Sequence, residues 1–355
     1  MRSIHLACLA IALQGCGDHD DHDDHDPGAG SLTFEVMPDP AIIVANGGAG
    51  TISVIDPATL TVASTVAVQH GMHPHHISVS PDGGRVLISA TSADLSGGHG
   101  GGGHGAHGGE GAQTAVYQLD VAERALRVVL SIDATAHNAA FSADGTTIAL
   151  AMMEHGMIAG YDAATFAERF TATGFVMPLE VTPTRGGGLL VAESSAGRVA
   201  HYDVAAGEVT HRFDTGETTV AAWATGEASY YVAAEEGQRL THLVDGMTGV
   251  ESDGHAIELG GMPGQAALSP DGRELWVAVE DTGVVAVFDG TTHAPIAEIA
   301  AGTKPHGITF DPSGTRAYVT DETGGRLIVF EVETHSEVGR IDLGGKPNGI
   351  AWLGR

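Results

Sequence analysis

One short pattern recurs along this chain, and its spacing limits the fold more than any other feature. Each copy is a glycine or a polar residue, then alternating apolar residues, then an acidic residue. Seven copies are present, and they end at Asp56, Asp120, Asp162, Asp203, Asp245, Asp289 and Glu331. Successive ends lie 64, 42, 41, 42, 44 and 42 residues apart. A period of about 40 to 45 residues with several short strands per repeat is typical of β-propeller blades.

A tight turn repeats with the same period, and the two ends of the repeat array are complementary. The turns contain Pro-Asp-Gly or a close variant, at 80–83, 142–145, 269–272 and 311–314. The chain ends on one inner-strand pattern, residues 347–353, and residues 41–68 supply the three strands that it lacks. We therefore predict an all-β, seven-bladed propeller over residues 41–355, whose last blade is closed by strands from both termini and leaves no open sheet edge.

The first 40 residues have a different composition. Residues 1–16 resemble an export signal, with Arg2, a short apolar run and a Leu-Gln-Gly-Cys sequence that approximates a lipobox ending at Cys16. Residues 17–40 are predicted to be a disordered tail rich in histidine and aspartate. We expect an exported protein of the periplasm or cell envelope, lipidated at Cys16 or released by ordinary signal cleavage.

Charge and cysteine content exclude several classes of function. The formal net charge is −29, which repels nucleic acid and anionic lipid and concentrates cations. The two cysteines both lie in the first 16 residues, so thiolate metal sites and CxxC redox chemistry are excluded from the mature chain. We expect a monomer, with a membrane contact only through the N-terminal lipid.

Histidine is concentrated in the first third of the chain. Ten of the 20 histidines fall between His19 and His107. They form three groups: an acidic tail with His19, His22 and His25; a cluster with His70, His73, His75 and His76; and a glycine-rich tract at 92–113 with His99, His104 and His107. Imidazole and carboxylate are ligands of borderline divalent metals, and zinc fits them best. The composition predicts zinc capture.

Propeller topology brings part of these groups to one face. Loops that enter inner strands share a face with loops that join second to third strands. This places His73, His75 and His76 of blade 1 near His137 and the Glu154–His155 loop of blade 2. We predict one zinc ion bound by His73, His75 or His76 together with His137 and His155, with Glu154 as an alternate ligand. His306 is interpreted as structural.

The inner strands resemble the YVTN family of β-propellers. The resemblance rests on Pro-His-Gly-Ile at 305–308, Asp-Pro-Ser-Gly at 311–314 and Tyr-Val-Thr at 318–320, and it covers nearly all of residues 40–355. These motifs belong to the scaffold and specify no activity.

With its histidine-rich loop, His-Asp tail and export signal, the chain also resembles the AztD family of periplasmic zinc metallochaperones. The resemblance is carried by residues 18–26, 70–76 and 99–107. It implies zinc binding and direct transfer of zinc to the solute-binding protein of a zinc ABC transporter. The tail and the glycine-rich tract would then deliver extra histidine ligands, and a lipid anchor would be a departure from that family.

Alternatives to a zinc chaperone remain open. A metal-dependent enzyme, lactonase-like or oxidase-like, would need a fixed metal, an open water position and a general base, for which Glu154 and Glu180 are weak candidates. Copper is the rival metal, because it binds nitrogen ligands more tightly than zinc and because Met72, Met152, Met153 and Met157 are expected close to the histidine cluster. Because an enzyme gains little from a mobile histidine loop or a metal-binding tail, we predict that the protein is not an enzyme.

Overall fold

The structure is a computed structural model that describes residues 31–95, 111–226, 229–246 and 249–354. Within these ranges the regular structure consists of β-strands and three single-turn 3₁₀ helices, Gly47–Ala49, Met153–His155 and Ser194–Ala196. None of the described residues forms a helix long and apolar enough to cross a bilayer. The strands form seven sheets, which confirms the predicted seven-bladed propeller.

The strands follow the chain in groups of four, after an initial set. The initial set is β1 (Leu32–Thr33), β2 (Ala41–Asn46), β3 (Thr51–Asp56) and β4 (Thr61–Ala67). Blade 1 is β5 (His73–Val79), β6 (Arg85–Thr91), β7 (Thr114–Asp120) and β8 (Ala125–Ile132). Blade 2 is β9 (Ala139–Phe141), β10 (Thr147–Met152), β11 (Met157–Asp162) and β12 (Glu168–Thr173). Blade 3 is β13 (Pro178–Pro183), β14 (Leu189–Glu193), β15 (Arg198–Asp203) and β16 (Glu208–Asp214).

The remaining blades repeat the same order. Blade 4 is β17 (Thr219–Thr225), β18 (Ser229–Ala234), β19 (Arg239–Gly246) and β20 (Gly249–Glu258). Blade 5 is β21 (Pro263–Leu268), β22 (Glu274–Val279), β23 (Val284–Asp289) and β24 (Pro295–Ala300). Blade 6 is β25 (Pro305–Phe310), β26 (Arg316–Asp321), β27 (Arg326–Glu331) and β28 (Ser336–Asp342). Blade 7 joins β29 (Pro347–Leu353) to β2, β3 and β4.

The ring closes where the two ends of the repeat array meet. Strand β29 pairs antiparallel with β2, and Ala41 lies opposite Leu353. Strand β1 adds to the outer edge of blade 1 through β8. The predicted closure by both termini is therefore confirmed, and it ties the first and last strands of the propeller into one sheet.

The repeated acidic residue has a local structural reason. Among the described residues, in five of the seven repeats the carboxylate at the end of the third strand accepts hydrogen bonds from backbone N–H groups of the next turn. Asp162, for example, accepts them from Ala164 and Thr165 at 2.9 and 2.8 Å. The fourth residue after the acid, Phe166 here, takes a left-handed conformation with φ 60°. Such side-chain-to-backbone bonds favour a turn over continued strand, so the repeat marks each third-to-outer hairpin.

The apolar core is divided into layers between neighbouring blades. Trp276 of blade 5 is fully buried and makes edge-to-face contacts with Phe310 and Phe330 of blade 6, at ring-centroid distances of 5.6 and 6.1 Å. Edge-to-face packing suits the aromatic quadrupole. Because the core lies between the blades, the inner strands are left to line a central channel with other side chains.

Candidate metal centre

The candidate centre lies where several inner strands begin. His75 and His76 are in β5 and His306 is in β25, while His137 lies two residues before the start of β9. In β5 the pairing register with β6 shifts between Pro74 and Ile77, so the two histidines fall in a bulge. A bulge re-aims side chains that would otherwise alternate between the two faces of a sheet. This explains how two consecutive histidines join one cluster.

Three of the histidines form a compact group. The ring centroids of His75, His76 and His137 lie 4.5 to 4.6 Å apart, and one ligand atom from each lies within 4.8 Å of the others. His75 and His137 are buried, at 3% and 2% exposure. Zinc–imidazole bonds of about 2.0–2.1 Å place tetrahedral nitrogens roughly 3.4 Å apart. Small side-chain rotations would therefore bring this group to metal-binding geometry.

A buried carboxylate orients two of these rings. Glu180, in β13 of blade 3, lies 2.7 Å from His137 Nδ1 and 2.8 Å from His76 Nε2 through the same oxygen. Burial raises the pKa of the Glu180 carboxyl, but the His76 charge and the hydrogen bonds from both histidines outweigh burial and hold that pKa well below its usual range. A carboxylate that accepts a hydrogen bond from one ring nitrogen fixes the tautomer and leaves the other nitrogen for a metal.

A second set of ionisable groups continues the cluster toward blades 5 and 6. His306 Nδ1 lies 2.6 Å from Glu280, and Lys304 Nζ lies 3.3 Å from Glu280 and 3.1 Å from Glu322. Burial lowers the pKa of His306, but the Glu280 charge reverses this and the pKa is raised overall. Ligand atoms of His75, His306 and Glu322 also lie within 4.8 Å of one another. His75 is therefore common to two potential ligand groups.

Some predicted ligands belong to neither group. His73 Nδ1 lies 2.8 Å from the Gly47 carbonyl oxygen. Glu154 accepts hydrogen bonds from the backbone N–H and the hydroxyl of Thr135, and His155 is exposed in the same loop. The sequence prediction included His73, Glu154 and His155 among the zinc ligands. Of the six predicted ligands within the described residues, the structure brings together only His75, His76 and His137. The other predicted residues lie outside the described ranges: Cys16, His19, His22, His25, His99, His104 and His107.

His306 and Glu322 are potential ligands that sequence reasoning missed. The sequence did contain a pattern that could have identified His306, because several inner strands begin with proline, two variable residues and an apolar residue. In this pattern His75 and His306 occupy the first variable position, and His76 and Glu180 occupy the second. The Pro-His-Gly-Ile motif points to a structural role for His306, and Glu322 has no distinctive pattern around it in the sequence.

The methionines suggested for copper pack into the apolar layers. Met152 and Met153 are buried, at 8% and 5% exposure, in two separate core clusters. Met72 and Met157 pack against core clusters from their edges. Their packing accounts for them without a metal.

A cavity of about 290 Å³ adjoins the centre along the channel. His76 and Glu180 line one part of it, and Ser78, Asn138 and Gln265 add polar groups from three other positions on the inner strands. A mainly polar cavity next to a metal-binding group could hold a small polar molecule.

Solved structures of very different sequence share this fold. The periplasmic gluconolactonase PpgL of Pseudomonas aeruginosa has a TM-score of 0.70 at 16% identity, covering 88% of this chain and 99% of its own. A candidate 6-phosphogluconolactonase from Bacteroides fragilis has a TM-score of 0.69 at 13% identity, covering 89% and 98%. A functionally unknown protein from Desulfotomaculum acetoxidans has a TM-score of 0.69 at 16% identity, covering 89% and 99%.

No protein-family model matches this chain, and no curated protein matches it in sequence. The prediction that the protein is not an enzyme is corrected by the neighbours, because two proteins of this fold carry lactonase names. That prediction relied on the glycine-rich tract and the N-terminal tail, and not on the channel. The chain is thus a seven-bladed β-propeller, a fold that it shares with these solved structures.

Proposed function

We propose that this protein binds zinc at the channel histidines in the cell envelope and delivers the ion to a zinc-binding acceptor, the solute-binding protein of a zinc ABC transporter. The observation that carries this proposal is the approach of His75, His76 and His137 to one another, with Glu180 bonded to two of the rings. Three imidazoles backed by a carboxylate are a donor set that suits zinc.

The electrostatics of the chain support a cationic cargo. The body carries a large excess of acidic residues, which raises the local concentration of cations at a channel mouth. Zinc is favoured over copper because the nearby methionine sulfurs belong to the apolar layers. The predicted export signal and the resemblance to the AztD family support the envelope location and the acceptor.

The first experiment measures zinc affinity by competition with a chromophoric chelator. We expect one tightly bound ion in the wild type and loss of tight binding in His75→Ala. His73→Ala is the matched control, because His73 is on the same strand but bonds a backbone carbonyl. Equal affinity in the wild type and His75→Ala would disprove a metal site at this cluster.

The second experiment tests delivery. Zinc-loaded protein is mixed with the apo solute-binding protein in the presence of a chelator that captures free zinc but strips the donor slowly. We expect the acceptor to fill faster than zinc is released to the chelator alone. Filling no faster than that release would mean transfer through solution, and the protein would then be a zinc store.

A second candidate function is zinc-dependent lactone hydrolysis. The observation in its favour is the polar channel cavity beside the histidines, and the lactonase names of two structural neighbours agree with it. A zinc-bound water would be the nucleophile, since zinc lowers the pKa of bound water to about 7. Acid release from gluconolactone in a pH-stat is the test, with zinc-loaded, chelator-treated and His75→Ala protein. Rates equal to the uncatalysed rate in all three samples would reject this candidate.

A further inference from the structure

Two potential ligand groups meet at one side chain in the channel. His75 forms one group with His76 and His137, and another with His306 and Glu322. Its ring centroid is 4.5 Å from those of His76 and His137, and 5.4 Å from that of His306. The ring centroids of His76 and His306 lie 6.2 Å apart, so the two groups adjoin each other at His75.

The surroundings of Glu322 are independent evidence that the second group of side chains binds an ion. The side chain is 2% exposed, and its Oε1 contacts Lys304. Its Oε2 is buried and has no hydrogen-bond partner among the described residues. Buried carboxylate oxygens are nearly always bonded to a donor or a cation. Glu322 Oε2 is thus an acceptor that needs a proton or a metal ion.

We propose that zinc occupies two alternating positions that share His75: position one with His76 and His137, and position two with His306 and Glu322. This inference rests on the proposed zinc binding and deepens it. One imidazole nitrogen binds one ion at a time, so a single zinc moves between the positions while His75 keeps its place in the coordination shell.

The donor sets of the two positions differ in a way that suits stepwise exchange. Position one offers three imidazoles, and position two offers two imidazoles and one carboxylate. Each has its own orienting carboxylate: Glu180 bonds His137 in the first, and Glu280 bonds His306 in the second. Replacing one ligand at a time keeps zinc close to four-coordinate, and a protein that hands over its cargo needs such intermediates.

The test is a double-mutant comparison of metal binding in the full-length protein. The variants are His137→Ala for position one, Glu322→Gln for position two, the double variant, His75→Ala, and His73→Ala as control. Zinc stoichiometry is measured by competition, and Co²⁺ absorption reports the donor set. We expect each single variant to keep one bound ion, with different Co²⁺ spectra, and the double variant and His75→Ala both to lose it.

The alternatives give different outcomes. If His137→Ala alone abolishes binding, or if Glu322→Gln has no effect in the His137→Ala background, position two does not exist and only the first site remains. If the wild type binds no zinc at these residues, the proposed function itself fails. Melting curves of the apo-proteins identify any variant that does not fold, and Glu322→Asp, which keeps a carboxylate, should restore position two in part.

Discussion

Two buried carboxylate clusters in this propeller differ in what surrounds them. Glu193, at the end of β14, is fully buried and bonds Arg198, Arg212 and the backbone N–H of Val176 at 2.8 to 2.9 Å. Glu322 comes one residue after the equivalent strand position in blade 6. It is also buried, but it faces Lys304 and the channel histidines.

Asp321, the residue immediately before Glu322, shows the same contrast within a single loop. Asp321 Oδ1 accepts hydrogen bonds from the backbone N–H groups of Thr303, Lys304 and Gly324, each at 3.0 Å. Asp321 and Glu193 therefore hold loops together, while the adjacent Glu322 is aimed at the channel. A shift of one residue along the strand end separates a structural carboxylate from a candidate ligand.

Histidines show a parallel difference. Burial lowers the pKa of His201, which lies in blade 3 and bonds Thr210 at 2.7 Å. His306 is half-buried, and burial alone would lower its pKa, but the Glu280 charge raises it. Burial alone keeps a histidine neutral, and a paired carboxylate reverses the effect.

The largest expected effect is on stability, from Glu193→Ala. Removing this carboxylate leaves the Val176 N–H and two half-exposed arginines without their shared partner, and a hydrogen bond to a charged group contributes about 2 kcal/mol. We expect that loss in the free energy of unfolding by denaturant titration, with zinc affinity of the folded protein unchanged. A parallel loss of zinc affinity would break the distinction between the two clusters.

The second prediction concerns Glu180→Gln in the channel. The variant keeps the shape of the side chain but removes the charge that orients His76 and His137. Loss of such an orienting carboxylate weakens metal binding by about 10- to 100-fold. Competition titration should show this decrease, and the apo-protein should also lose stability at neutral pH, because the lowered pKa of Glu180 means that its charge stabilises the folded state. An unchanged affinity would mean that Glu180 has only a structural role.

A smaller effect is expected from His201 as the pH is lowered. Its folded-state pKa lies below the unfolded value of about 6.5, so protonation favours the unfolded state. Its contribution to stability is complete above that value and is lost as the pH falls below it. Unfolding measured between about pH 7 and pH 5 should show a shallower decline in His201→Gln than in the wild type. Identical profiles would contradict this assignment.

The smallest effect is expected from His73→Ala. This histidine was predicted as a ligand, but its Nδ1 lies beside the Gly47 carbonyl oxygen. We expect zinc affinity within about twofold of the wild type, and only a modest loss of stability of about 1 kcal/mol for one hydrogen bond. A large decrease in zinc affinity would show that the cluster extends further along β5 than its geometry indicates.

Much of the fold could be predicted because its signals are local and repeated. The acidic residue that ends a third strand, as Asp162 does, accepts hydrogen bonds from backbone N–H groups two and three residues later, so sequence spacing alone shows where the hairpins fall. The site was predicted less completely. His75, His76 and His137 stood out by density, whereas His306 lies 169 residues after His137 and Glu322 looks like any loop acid.

The sequence by itself determined the number of blades, the closure by both termini and the presence of histidines at the starts of inner strands, because each depends on a period or on neighbouring residues. Only the tertiary structure decided which side chains meet. The bulge between Pro74 and Ile77 turns both His75 and His76 toward the cluster, and ring closure brings blade 6 beside blade 1 through blade 7. Residues far apart in the chain become neighbours through that closure, and no local sequence pattern predicts which of them will be in contact.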